Sequence, residues 1–215
     1  MALHREEKLE LAQAVFDLAM LFDQRHNLTR YKAGIHNNSG VLALEMADYA
    51  RARKHFEQAL DIRHKDSHLP GQVTAGTNLL LSLFLQKEWE TFERLVDRVG
   101  RLHARHGSDL LRRYYDWLHR AYALREQSSL SQEQQADLEY LYTSIDDHFI
   151  QVFLAQAATN MHWSMPTPIP ETPKPGATID IRPYFSFCDW EQLAKVKNSD
   201  IVTLLEQKQH SLSKP

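Results

Sequence analysis

Cysteine is nearly absent from the chain, and Cys188 is its single example. One cysteine cannot form a disulfide within the chain, which fits the reducing conditions of the cytosol. The sequence also lacks an apolar run near the roughly 20 residues that a membrane-spanning helix needs. Its charged beginning, MALHREEKLEL, shows no secretion signal. We therefore expect a soluble, cytoplasmic protein without a membrane partner.

Glycine and proline are scarce, with seven and eight residues, and the prolines are concentrated late in the chain. Runs of β-branched residues are few, so the composition favours an all-α fold. The formal net charge is −3 and 43% of the residues are hydrophobic, as in an ordinary globular protein. Composition alone therefore makes no case for a nucleic-acid or membrane partner.

The motifs of common enzyme and metal sites are missing. There is no Gly-rich phosphate loop, no Gly-x-Ser-x-Gly turn and no His-Glu-x-x-His. Twelve histidines occur, and His103 and His106 have helical spacing, but no third ligand accompanies them. Cys188 lies among aromatic residues, which indicates a packed thiol rather than a nucleophile. We expect no catalytic residue, no metal site and no cofactor.

The most informative stretch is NSGVLALEMADYARARKHFEQALDIR, residues 38–63. It predicts two helices joined by a turn, with Asp48 capping the second helix. One face of that second helix is largely apolar at three- and four-residue spacing, while the opposite face is charged. Small residues stand where the two helices would touch, so we expect close antiparallel packing with Phe56 filling the space between turns.

This stretch resembles a tetratricopeptide repeat, a helical hairpin of about 34 residues. The resemblance rests on the repeat-packing residues Gly40, Ala52, Phe56, Ala59 and Leu60. The sequence departs from the repeat pattern at His36, Ser39, Ala43 and His64. A second, degenerate repeat covers residues 77–99, where Leu80 takes the place of Gly40 at a period of 40 residues.

The resemblance implies antiparallel hairpins stacked as a short right-handed superhelix, whose concave surface binds a peptide or helix of a partner protein. Some members of the family hold a C-terminal carboxylate in a clamp of Lys and Asn side chains. The equivalent positions here are Asn37, Val41 and Leu81. None has the required side chain, so we expect no clamp of that kind.

Helical periodicity extends along most of the chain. The predicted helices cover 5–25, 30–46, 49–63, a segment from about 72, 89–106, 109–127 and 132–160. Residues 64–71 are predicted to form a loop with a Pro-Gly turn, and the helix that follows is apolar nearly all round. The predicted domains are a repeat domain at 1–160, a proline-rich extended linker or strap at 161–186, and a helical tail at 187–215 that packs on the repeats or on a partner.

Arginine and aromatic residues are interleaved between residues 98 and 125. Such a pattern can hold phosphates and stack bases, or it can line a peptide groove. It can also simply pair with the acidic helix that follows. The candidate partner-binding residues are Arg105, Arg112, Arg113, Tyr115, Trp117, His119 and Arg120.

These observations lead to three functional hypotheses. The first is a non-catalytic scaffold or adaptor that binds a peptide or helix through the concave repeat surface. The second is a nucleic-acid-binding or regulatory protein that uses the Arg/aromatic helix 109–127. The third is a helical enzyme whose site is built from distant residues, such as His148 and the acidic face of helix 132–160.

Overall fold

The computed structural model describes residues 29–168 and, before them, residues 9, 12–13, 15–17 and 19–20. The described residues before position 21 are helical, and no strand occurs in the described part of the chain. The helices with complete bounds are α1 Thr29–Glu45, α2 Tyr49–Lys65, α3 Leu69–Leu85, α4 Trp89–His106, α5 Asp109–Ala123, α6 Gln132–Thr143 and α7 His148–Asn160. The predicted all-α class is thus confirmed for these residues.

The predicted linker is described only as far as residue 168, and the predicted tail 187–215, with Cys188, lies outside the described residues. The described start of the linker packs on the helices. Trp163 is buried, and its indole nitrogen donates to the carbonyl of Gln127 at 3.3 Å. Within the described ranges, no helix combines the length and the apolar character needed to cross a membrane.

Helix starts recur every 20 residues from α1 to α5, at positions 29, 49, 69, 89 and 109. Each of α1, α2 and α3 has 17 residues and is followed by a three-residue turn. The second residue of each turn has a positive φ, with Ala47 at 57°, Ser67 at 53° and Lys87 at 58°. Two backbone hydrogen bonds close each turn in the same way, so the first four helices are joined by three copies of one connection.

The predicted loop at 64–71 is wrong in its extent. α2 continues to Lys65, and α3 begins at Leu69 with Pro70 in its first turn. The first turn of a helix accommodates proline because its amides have no partner within the helix. The His68 side chain caps α3 by accepting from the amide of Gly71 at 3.0 Å. The Pro-Gly pair therefore starts a helix here instead of a turn.

The long helix predicted at 132–160 is two helices. α6 ends at Thr143, and α7 begins after Asp147, whose carboxylate accepts from the amide of Ile150 at 3.0 Å. Gln151 spans the break by donating to the carbonyls of Tyr142 and Ile145. Thr, Ser and Asp side chains compete with the helical backbone for hydrogen bonds, so the segment 143–147 favours an interruption.

Two layers follow from the helix contacts. α1, α3 and α5 contact one another in sequence, while α2 and α4 pack on the other side of them, and α7 also contacts α3. α3 is the most buried helix, as its apolar sequence predicts, with Val73, Leu80 and Leu83 fully buried. The side chains of Gln72 and Gln86 donate to carbonyls at opposite ends of α2, so both ends of α3 are fixed to that helix.

The small residues of the first hairpin allow α1 and α2 to approach closely. Ala52 and Ala59 are buried, and Phe56 is fully buried with its ring against Gly40. A Cβ built on Gly40 would lie 2.5 Å from Cε1 of Phe56, well inside van der Waals contact. The glycine is thus required by the phenylalanine that faces it.

Gly40→Ala should lower the free energy of unfolding by about 1–3 kcal/mol, because the added methyl group would clash with the fully buried ring of Phe56. Urea denaturation followed by circular dichroism measures the change. In a Phe56→Leu background the same substitution should cost less, because the ring is gone and alanine favours the helix. Equal losses in the two backgrounds would contradict the proposed contact.

Lys87→Gly should raise the free energy of unfolding by about 0.5–1 kcal/mol, because glycine adopts the left-handed backbone conformation without the strain of a Cβ atom. Thermal denaturation measures the change. Lys87→Ala is the matched control, since it removes the charge and retains the Cβ. If both variants are stabilised equally, the lysine side chain rather than the backbone is responsible.

Candidate interaction surfaces

The predicted Arg/aromatic segment is divided between α4 and α5. Ser108 separates the two helices and caps α5 by accepting from the amide of Leu111 at 3.3 Å. The buried face of α5 consists of Tyr114, Trp117, Leu118 and Ala121. The remaining positions of the predicted site are therefore distributed over the outer surfaces of two helices rather than on one.

Trp117 is unavailable to a partner. It is fully buried, and its ring lies 6.2 Å from that of Phe84 in the core. Tyr115 is half-buried, packs over Gly100, and donates its hydroxyl to the carbonyl of Val96 at 3.2 Å. The two aromatics that were candidates for stacking on a ligand thus hold α5 against its neighbours.

Two arginines of α5 are bound to the following helix or its end. Arg120 pairs with Asp137 of α6 at 3.0 Å, which is the pairing between basic and acidic helices that the sequence allowed. Arg113 donates to the carbonyl of Ser144, beyond the end of α6. Both side chains are exposed, but both already have a protein partner.

Arg112 contacts the connection that precedes its own helix. Its guanidinium donates to the carbonyl of Gly107 at 3.4 Å and lies 3.9 Å from the carboxylate of Asp109. His119 is exposed and stacks on Tyr115, with ring centroids 5.8 Å apart. Arg105 is exposed on α4, away from these contacts within α5.

His103 is a buried polar residue of α4 that the sequence did not distinguish from the other histidines. Thr77 donates its hydroxyl proton to the carbonyl of Val73 at 2.8 Å, so it must accept from Nε2 of His103, which lies 2.7 Å away. Nδ1 of His103 is buried and has no hydrogen-bond partner among the described residues. Burial and, next, the charge of Arg112 lower the pKa of His103 to about 4.

A second histidine contact joins α1 to α2. Nδ1 of His36 lies 3.2 Å from Nδ1 of His55, so one ring donates and the other accepts. Burial, followed by His55 and Lys32, lowers the pKa of His36 to about 4. Burial, followed by Arg51, also lowers the pKa of His55. Both rings are therefore kept neutral near pH 7.

A pair of asparagines connects the exposed sides of α1 and α3. Asn78 donates to Oδ1 of Asn37 at 3.1 Å, and Asn37 donates to Oδ1 of Asn38 at 3.4 Å. These side chains are partly buried, and Thr74 lies one turn before Asn78 on α3. Asn37 was considered as a clamp position, but its pairing with Asn78, 41 residues away in sequence, had no sequence signal.

Two kinds of site were considered for the histidines and acidic residues of the described chain, a metal site and an acid–base site at His148. No three His, Cys, Asp or Glu side chains of these residues are grouped to hold a metal ion. His148 lines an open groove of about 410 Å³ with Val152, Gln156 and Met165, and no carboxylate lines it. This groove therefore lacks the acid–base pair that the enzyme hypothesis requires.

Comparisons with protein-family models, with curated proteins and with solved structures find no significant match to this chain.

Acid should destabilise the protein as the pH falls from 6.5 toward 4. The folded-state pKa of His103 and of His36 is about 4, below the unfolded value of 6.5. The folded state therefore binds fewer protons in this range, and each group contributes a slope of at most about 1.4 kcal/mol per pH unit. Urea denaturation at several pH values measures the slope.

His103→Gln is the informative variant for this prediction, because glutamine can still donate to Thr77 but does not titrate. The slope between pH 6.5 and 4 should become shallower than in the original protein. An unchanged slope in His103→Gln would show that other groups control the acid sensitivity.

Proposed function

We propose that this protein is a non-catalytic, tetratricopeptide-like interaction module that binds an extended peptide of a partner protein across α1 and α3. The regular 20-residue spacing of the helices and the small-residue contact in the first hairpin support an array of this kind. In such an array, the helices of one layer form the concave face that receives the partner. The contacts of α3 with both α1 and α5 support the assignment of these three helices to that layer.

The contact between Asn37 and Asn78 carries the proposal. A side-chain amide offers two donors and an acceptor, the same groups that an extended peptide backbone must satisfy. The bond from Asn78 to Asn37 uses one donor of Asn78 and fixes the orientation of both amides. Because both side chains are only partly buried, they present ordered hydrogen-bonding groups at the surface.

The surroundings of the asparagine pair suit a peptide rather than a highly charged ligand. Thr74 is partly exposed beside Asn78, and Gly34 and Val41 are partly exposed on α1, so the side chains here are small and mostly uncharged. A backbone can approach closely where side chains are small. Contacts of this kind give affinity through main-chain hydrogen bonds.

Nucleic-acid binding by helix 109–127 has weaker support. The aromatic that would stack on a base, Trp117, is buried, and Arg113 and Arg120 have protein partners. Stacking platforms and available cations are the two requirements for binding single strands. In the folded protein, Trp117 of α5 is buried and few of the arginines of α5 are without a protein partner.

Peptides selected from a random phage-displayed library on the purified protein test this function. Asn37→Ala with Asn78→Ala should weaken binding of the selected peptides by about tenfold or more, since each lost hydrogen bond contributes about 1 kcal/mol. Calorimetric titration measures the affinity, and a thermal melt verifies folding.

Gln58→Ala is the control, because Gln58 is an exposed amide on α2 in the other layer. It should leave the affinity unchanged. Selected peptides that bind the double asparagine variant as tightly as the original protein would contradict the proposed site. Failure to select any peptide would contradict the proposed function.

A further inference from the structure

α4 carries an arginine stripe on its outer face. The stripe comprises Arg94, Arg98, Arg101 and Arg105. Their spacing of four, three and four residues places them along one side of the helix, within about 60° of arc and over about 16 Å of its length. All four side chains are exposed. This surface belongs to the layer of α2 and α4, so it is separate from the asparagine pair of α1 and α3.

The stripe differs from the arginines of α5 in how its charges are compensated. Arg94 lies 3.5 Å from Glu90, and Arg98 lies 3.4 Å from Nδ1 of His64 on α2. Arg101 and Arg105 make no ion pair or hydrogen bond with the described residues. The two free guanidinium groups are at the C-terminal half of the stripe.

Helix stability explains only part of this arrangement. Arg105 lies in the last turn of α4, where a cation interacts favourably with the helix dipole. The pairs Arg94–Arg98 and Arg101–Arg105, however, are like charges four residues apart, which disfavour a helix by a few tenths of a kcal/mol each. The row of four arginines therefore costs α4 some stability. An anionic ligand would offset the repulsion among the four charges.

The chemistry of the stripe selects its ligand. No large exposed hydrophobic residue of the described chain lies on α4, so the stripe lacks an aromatic platform on which bases could stack. Arginine guanidinium groups match carboxylates in two-bond geometry and hold them more specifically than lysines do. A second helix can carry carboxylates at the same four-, three- and four-residue spacing as the arginines of the stripe.

We infer that the arginine stripe binds an acidic helix of a partner protein, whose carboxylates recur at four-, three- and four-residue intervals. Such a helix would lie alongside α4 and place a carboxylate near each guanidinium. Arg101 and Arg105 form the strongest part of this contact because neither has to release a partner within the described chain. The inference does not depend on the peptide site of α1 and α3.

Fluorescence anisotropy with a labelled helical peptide tests the stripe on the full chain. The probe carries glutamates at the four–three–four spacing, and its isomer has the same composition with the glutamates distributed around the helix. The matched peptide should bind more tightly than the isomer. Arg101→Glu with Arg105→Glu should weaken its binding by about tenfold or more, because two attractive contacts become repulsive.

Lys54→Glu with Lys87→Glu is the charge-matched control, since both lysines are exposed and lie outside the stripe. It changes the net charge by the same amount and should leave the affinity within about twofold. Arg101→Gln with Arg105→Gln should give an intermediate loss without introducing repulsion. Thermal melts verify that each variant remains folded.

Three results would overturn the inference. The first is equal binding of the matched peptide and its isomer, and the second is an equal loss of affinity in the control variant. The third is tighter binding of single- or double-stranded DNA than of the matched peptide at the same salt concentration, because the stripe would then recognise phosphates.

Discussion

A helix that is apolar on nearly every side must be covered on nearly every side, and α3 imposes this requirement on the whole fold. Neighbours reach it from α1, α2, α4, α5 and α7. Its buried hydroxyls, on Thr77 and Ser82, donate to carbonyls of α3 itself at 2.8 Å, and the Thr77 hydroxyl also accepts from His103 of α4. Gln72 and Gln86 instead donate to carbonyls at the two ends of α2, and these bonds fix the orientation of α2 against α3.

Local sequence was a good guide wherever a helix boundary is decided by its own residues. α4 has the predicted bounds because Trp89 starts its apolar face and Gly107 ends it. The start of α3 was mispredicted because a Pro-Gly pair is compatible with both a turn and a first helical turn, and the capping bond from His68 decides between them. Whether such a pair forms a turn or starts a helix depends on side-chain geometry, which the hydrophobic periodicity of the sequence does not reveal.

The candidate site was less predictable, because contacts with residues distant in sequence decide which of its side chains are buried and which have a protein partner. Trp117 and Arg113 are four residues apart, yet one faces the core and the other donates to Ser144, 31 residues beyond it. The charge of Arg120 is compensated by Asp137 of the next helix. The basic character of residues 98–125 was visible in the sequence. The contrast between the partnered Arg113 and Arg120 of α5 and the unpaired Arg101 and Arg105 of α4 required the fold. The asparagine pair likewise arises from contact between α1 and α3.

The arginines that stabilise the fold and the arginines of the proposed ligand site therefore lie on different helices. On α5, Arg113 and Arg120 bind the following helix or its end, whereas Arg101 and Arg105 of α4 face outward. The two proposed surfaces therefore belong to opposite layers, so occupation of one leaves the other accessible. Neither of them uses the buried histidines, which affect the stability of the protein without touching a ligand.

The 20-residue spacing has a consequence for how this chain can change in length. Because successive helices alternate between the two layers, position n and position n + 40 lie in equivalent places, whereas position n + 20 lies in the opposite layer. Loss or duplication of a whole hairpin preserves which faces are buried. Loss of a single helix with its turn leaves the remaining turns unchanged, but it moves every later helix into the opposite layer. The architecture thus tolerates length changes in pairs of helices and opposes them in single helices.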